Sequence, residues 1–151
     1  MLRDRINEAL KDAMRAKDPR KVSALRLVNA AIKDKDIAAR TRGDGSPLKD
    51  DEILSLMQSM VKQRRESVAL YRQGGRADLV EQEEGEIAVI ESFLPQQMDE
   101  AAMEAAVRAL IAEAGAASVK DMGKVMALLK QRFAGQMDPA KASGLVKSLL
   151  S

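Results

Sequence analysis

Apolar residues recur at three- and four-residue spacing along almost the whole chain, and no useful stretch alternates with period two. The spacing predicts seven helices and no strand. Leu2, Ile6, Leu10, Ala13 and Met14 share one face of a helix over roughly residues 2–16. Asp18 and Pro19 are suited to the N-cap and first position of a second helix. That helix runs to about residue 40 with Val22, Leu25, Val28, Ile32 and Ala39 as its stripe. Gly43, Asp44, Gly45, Ser46 and Pro47 then read as a loop.

Asp50, Asp51 and Glu52 complement the dipole of a third helix starting near residue 50, with Ile53, Met57, Met60, Val61, Val68 and Tyr71 on its buried side. Gly74–Gly75 stops it. A fourth helix over about 76–93 carries Leu79, Ile87, Ile90 and Leu94, and Pro95 ends it. Gly85 falls inside it, where a better helix former is expected. Asp99 caps a fifth helix bearing Met103, Val107, Leu110 and Ile111, closed by Gly115. Ser118 with Asp121 forms a capping box for a sixth helix, whose stripe is Met122, Val125, Met126, Leu129 and Phe133. Asp138–Pro139 opens a seventh, carrying Ala142, Leu145, Val146 and Leu149. The expected architecture is all-α: two unlike bundles, four helices in residues 1–95 and three in residues 96–151.

Composition agrees with packed helices. Phe93, Phe133 and Tyr71 are the only aromatic residues, so Leu, Ile, Val, Ala and 9 Met must build the core. The chain has 0 His and 0 Cys, which excludes disulfides, thiolate chemistry and a Ser–His nucleophile. Only carboxylates remain as metal ligands, and the run Glu81, Glu83, Glu84, Glu86 reads as a solvated helix face, so no metal or cofactor is expected. Ser118 and Lys120 point apart at a helix start and lack an oxyanion loop, so no catalytic residue is assigned. Neither a secretory signal nor an 18-residue apolar run is present, which leads to a cytoplasmic expectation with no membrane partner.

The net charge of +2 is unevenly placed. Residues 1–42 hold 12 Lys/Arg against 6 Asp/Glu, residues 43–94 hold 6 against 11, residues 95–117 hold 1 against 4, and residues 118–151 hold 6 against 2. Both ends are therefore basic. In the last segment, Gly123 stands bare between Lys120 and Lys124, which are four residues apart. Lys130 and Arg132 follow on the same helix, and Lys141 and Lys147 on the next. Gathered on one surface, these cations would neutralise several phosphates; the competing reading is that they only solvate the bundle. Gly123 permits either close helix packing or close approach of a backbone. Arg3, Arg15, Arg20, Lys21 and Arg26 form a looser set with acidic neighbours. Lys62, Arg64 and Arg65 are a candidate second contact area. So few aromatics leave little to stack on unpaired bases, so any RNA recognition would follow shape and phosphate.

Gln63-Arg64-Arg65-Glu66-Ser67 through Tyr71, Gly75-Arg76-Ala77-Asp78-Leu79, Phe93-Leu94-Pro95 and Asp121-Met122-Gly123-Lys124-Val125-Met126 resemble, in order and spacing, the YqeY family. That family is similar to the C-terminal helical and tail regions of the B subunit of tRNA-dependent amidotransferases, which amidate misacylated Glu- or Asp-tRNA with glutamine as ammonia donor. The resemblance implies a two-bundle helical fold and a tail-like C-terminal bundle that contacts tRNA. The functional expectation is a non-catalytic protein that binds tRNA or docks on a tRNA-handling complex through Lys120, Gly123, Lys124, Lys130, Arg132, Lys141 and Lys147. A protein-interaction adaptor and an accessory part of an amide-transfer enzyme are the alternatives. The oligomeric state stays open.

Overall fold

The computed structural model describes every residue except Arg42, Asp44 and Gly45, so the loop expected over Gly43–Pro47 lies partly outside the described residues. Among the described residues the chain forms seven α-helices, one 3-10 turn and no strand: α1 (Leu2–Arg15), α2 (Pro19–Thr41), α3 (Asp50–Gln73), α4 (Ala77–Glu91), α5 (Glu100–Ala114), the 3-10 turn (Val119–Asp121), α6 (Met122–Arg132) and α7 (Pro139–Leu150). The all-helical expectation holds. The helices group into two compact units, Met1–Leu94 and Pro95–Ser151.

Local chemistry sets most of the breaks. The first N–H groups of a helix lack partners within it, and side-chain oxygens supply them. Asp18 accepts from the Lys21 N–H at 3.1 Å, Asp99 from Ala102 at 2.7 Å and Asp138 from Ala140 at 2.9 Å. Gly115 closes α5 in the left-handed region (φ +64°), which glycine enters without a Cβ clash. Ala116 N–H then reaches back to the Ile111 carbonyl at 3.0 Å.

Each unit has its own apolar centre. In the first, Ile6, Leu25, Val28, Ile32, Ile53, Met57 and Ile90 are fully buried. In the second, α5 to α7 enclose Val107, Val125, Leu129, Ala142 and Val146. Each such side chain larger than alanine contributes about 1.5–3 kcal/mol on burial. Four expected core residues sit elsewhere: Ala39 and Leu79 are half-buried outside the core of the first unit, and Met14 and Tyr71 also leave it. Met14 is 45 % exposed, because at 100° per residue it stands about 80° round α1 from Ile6. Tyr71 is half-buried, not part of the core.

Two polar nodes knit the first unit. Asp36 on α2 receives Arg3 through both carboxylate oxygens, at 2.9 and 3.1 Å, and accepts the Leu48 N–H at 2.9 Å. The α1 start, the α2 end and the entry to α3 thus meet at one carboxylate. The Arg3 guanidinium and the Leu48 N–H hold its carboxyl below the usual range. Between α3 and α4, Arg64 donates to Glu86 at 3.0 Å and stands 3.9 Å from Glu83. Glu86 is only 6 % exposed, so the acidic run of α4 is not the solvated face expected of it. Residues 83 and 86, three apart, turn together toward α3, while Glu81 and Glu84 stay outside.

Candidate nucleic-acid surface

In the C-terminal unit the buried stripes of α6 and α7 leave their basic residues outside. Val125 and Leu129 face inward on α6, so Gly123, Lys124, Ala127 and Lys130 face solvent. Ala142, Val146 and Leu150 face inward on α7, which exposes Lys141, Gly144 and Lys147. Lys120 is exposed in the 3-10 turn. Lys120 therefore precedes α6 itself, on which Lys124 stands in the first turn. Gly123 is the second residue of α6, not an interior one. A Cβ built there meets nothing within 4 Å, and the same is true of Gly144. Close helix packing is therefore not what Gly123 provides, and the surface over it stays low.

The carboxylates of this unit are almost all engaged. Asp99 and Asp138 cap α5 and α7. Asp121 folds back onto the N–H groups of Ala117 at 3.0 Å and Ser118 at 3.4 Å, and these bonds hold its carboxyl below the usual range. The Ala117 and Ser118 N–H groups at this turn are thus satisfied by the chain itself. Glu104 binds Arg108 at 2.8 Å. Glu113 binds Arg132 through two guanidinium nitrogens, which lowers the Glu113 pKa and raises that of Arg132. Arg132 is therefore withdrawn from the expected phosphate contacts: the α5 carboxylate that pairs it lies 19 residues away in sequence. Among the described residues, Lys120, Lys130, Lys141 and Lys147 have no ion pair, and Lys124 has only the nearby Asp121 charge. Five cations of this unit remain available to an anion.

The N-terminal unit treats its cations differently. Arg3, Arg15 and Arg20 pair with Asp36, Asp12 and Glu81 at 2.9, 3.1 and 3.8 Å. Arg65 pairs with Glu91 and Arg72 with Glu84. The second contact area expected at Lys62, Arg64 and Arg65 is dismantled, because Arg64 is held inward by Glu83 and Glu86, Arg65 is bound by Glu91, and Lys62 has a partner too. Lys33 and Arg40, which do not stand out among the charges of the sequence, line a groove between α1 and α2 together with Arg3. Their seven-residue spacing, two turns of one helix face, was the available signal.

Among the described residues, no group of three or more His, Cys, Asp or Glu is placed to hold a metal ion, and no helix is long and apolar enough to cross a membrane.

The sequence pattern of the family described as Yqey-like protein matches residues 3–150. Curated relatives are named Altered inheritance of mitochondria protein 41, mitochondrial. The one from Eremothecium gossypii is 35 % identical over 104 residues, covering 69 % of this chain and 55 % of the relative. That from Lachancea thermotolerans is 34 % identical over 110 residues, covering 72 % and 57 %. That from Saccharomyces cerevisiae is 33 % identical over 87 residues, covering 58 % and 45 %. The chain spans about half the length of these relatives. Their mitochondrial names overturn the cytoplasmic expectation, which rested on the lack of a targeting pattern at Met1–Arg5.

Proposed function

The chain belongs to the YqeY-like family, and from that premise we propose that it is a non-catalytic tRNA-binding protein whose C-terminal unit makes the contact. The observation that carries this reading is the charge inventory of that unit. Five of its six acids, all but Glu100, are used as helix caps or as arginine partners, which leaves Lys120, Lys124, Lys130, Lys141 and Lys147 exposed. An unpaired lysine keeps its full attraction for phosphate, whereas a paired one must first give up its carboxylate. Gly123 and Gly144 add low points on the exposed faces of α6 and α7, over which a sugar–phosphate backbone passes without meeting a side chain. The likeness of the Asp121-to-Met126 segment to an amidotransferase tail selects tRNA among polyanions.

The test is tRNA affinity across a salt series. Log affinity should fall linearly with log salt, with about 0.7–0.9 of slope for each phosphate neutralised. The Lys120→Ala, Lys124→Ala variant should bind more weakly and lose about 1–2 in slope. Unchanged affinity and slope in that variant would refute the reading. A partner captured equally well after nuclease treatment and at high salt would favour the adaptor alternative.

A further inference from the structure

We infer that the outward face of α2 is a docking surface for an acidic amphipathic helix of another protein. Ala24, Leu25, Val28 and Ile32 turn α2 into the core, which leaves its opposite side to solvent. On that side Ser23, Leu27, Ala30, Asp34, Ile37 and Thr41 are all exposed. They recur at alternating spacings of four and three residues, which is the seam of a heptad repeat. Leu27 is 43 % and Ile37 51 % exposed. Arg26 Nη2 lies 3.9 Å from Met14 Sδ, so the exposed Met14 of α1 borders the strip on the Arg26 side. Residues 23 to 41 cover about 27 Å of helix, roughly five turns.

A row of cations edges the seam. Arg26, Lys33 and Arg40 stand seven residues apart, each immediately before a seam residue, and all three are exposed. In a heptad these are the flanking positions whose charges pair with the partner helix. None of the three has an ion pair among the described residues. The other edge of the seam, Ala24, Ala31 and Ala38, carries no charge. One edge therefore presents a single sign of charge. A helix with carboxylates at the matching spacing pairs with it, and a basic helix is repelled.

A second copy of this chain fits the face poorly. Antiparallel pairing of α2 with itself would set one basic row against the other. Parallel pairing in register would set Asp34 against Asp34 inside the seam. Asp34 has no ion pair among the described residues, and a carboxylate in a seam requires a donor opposite it. The occupant is thus a helix with apolar residues in a four–three pattern, acidic residues beside them and one cation near the middle of its seam. Leu27 and Ile37 are the only large apolar residues of the α2 seam, which suits reversible docking rather than an obligate interface.

The probe is a three-heptad synthetic peptide with Leu along its seam, one Lys in the middle of that seam and Glu at both flanking positions of every heptad. A control peptide carries Lys in place of each Glu. Backbone amide signals of the full isotope-labelled chain are followed as each peptide is added. The Glu peptide should shift the amides of Leu27, Ala30, Asp34 and Ile37 saturably, and the Lys peptide should not saturate over the same range. The Arg26→Glu, Lys33→Glu variant should bind the Glu peptide about tenfold or more weakly and gain affinity for the Lys peptide. The Leu27→Ala, Ile37→Ala variant should lose Glu-peptide affinity without that gain. These positions are exposed on a helix and both replacements are good helix formers, so amide dispersion will show an intact fold. The Lys120→Ala, Lys124→Ala variant should bind the Glu peptide as the parent does, which separates this face from the proposed tRNA surface. No saturable shift on α2, or equal binding of the two peptides, would overturn the assignment. So would α2 shifts that grow with the chain's own concentration, the mark of a second copy, or α2 shifts produced by tRNA in competition with the Glu peptide.

Discussion

Arg20 lies flat across the backbone of Gly85: a Cβ on residue 85 would stand 2.5 Å from Arg20 Cδ and 2.9 Å from its Nε. In this contact between α2 and α4 the Arg20 side chain occupies the space a Cβ on residue 85 would take. It also brings the Arg20 guanidinium toward Glu81, at 3.8 Å.

Gly85→Ala tests how much that contact is worth. Arg20 is half-exposed and flexible at its tip, and its ion pair with Glu81 is long and solvated. Helix propensity favours alanine by about 1 kcal/mol. The variant should therefore match or exceed the parent in urea unfolding, by up to about 1 kcal/mol. Any loss of stability in the variant would show that Arg20 cannot swing away.

Asp36→Asn should destabilise the N-terminal unit by about 2 kcal/mol at pH 7, since it weakens charge-assisted bonds from Arg3 and one from Leu48. The folded-state pKa of Asp36 is depressed. Its stabilising contribution is thus present above the unfolded value of about 3.9 and is lost as pH falls through the lower folded value. Unfolding curves of parent and variant should accordingly converge in strong acid. A gap that persists there would assign the effect to packing.

The Arg64, Glu83 and Glu86 cluster predicts opposite signs for two substitutions. Arg64→Ala leaves the buried Glu86 carboxylate uncompensated and should cost about 3 kcal/mol. Glu83→Gln should stabilise at pH 7, because burial and the adjacent Glu86 charge push the Glu83 pKa up. A raised folded pKa means that folding favours the protonated acid. The advantage of Glu83→Gln should shrink as pH falls through that raised pKa toward the unfolded value of about 4.3. Denaturant midpoints across pH 4–7 read both signs.

Arg132→Ala distinguishes paired from unpaired cations on the proposed tRNA surface. Arg132 is tied to Glu113, so its removal should leave the salt slope of tRNA binding within about 0.3 of the parent, against roughly 0.7–0.9 for Lys130→Ala. Equal slopes for the two variants would place Arg132 in the contact despite its partner.

Much of the helix pattern was legible because its causes are local. Asp18, Asp99 and Asp138 cap within three residues of their own position, and Gly115 stops α5 at the next one. The buried stripes of α6 and α7 follow from the same 3.6-residue period that marks them in the sequence. The misjudged residues depend on a distant partner. Glu83 and Glu86 looked solvated until α3 supplied Arg64, and Arg132 looked available until α5 supplied Glu113. Lys33 and Arg40 do not stand out among the many charges of α2, because their row gains meaning only once packing leaves that side of α2 free.

The sequence by itself determined the all-helical class, the helix limits to within a few residues and the family, since each rests on spacing and short-range capping. Only the tertiary structure decided which cations stay unpaired, what fills the space over Gly85 and where a groove opens beside α2. Those outcomes depend on which helix faces meet. An ion pair between residues 19 to 33 positions apart is invisible to periodicity but fixed once the apolar stripes have packed.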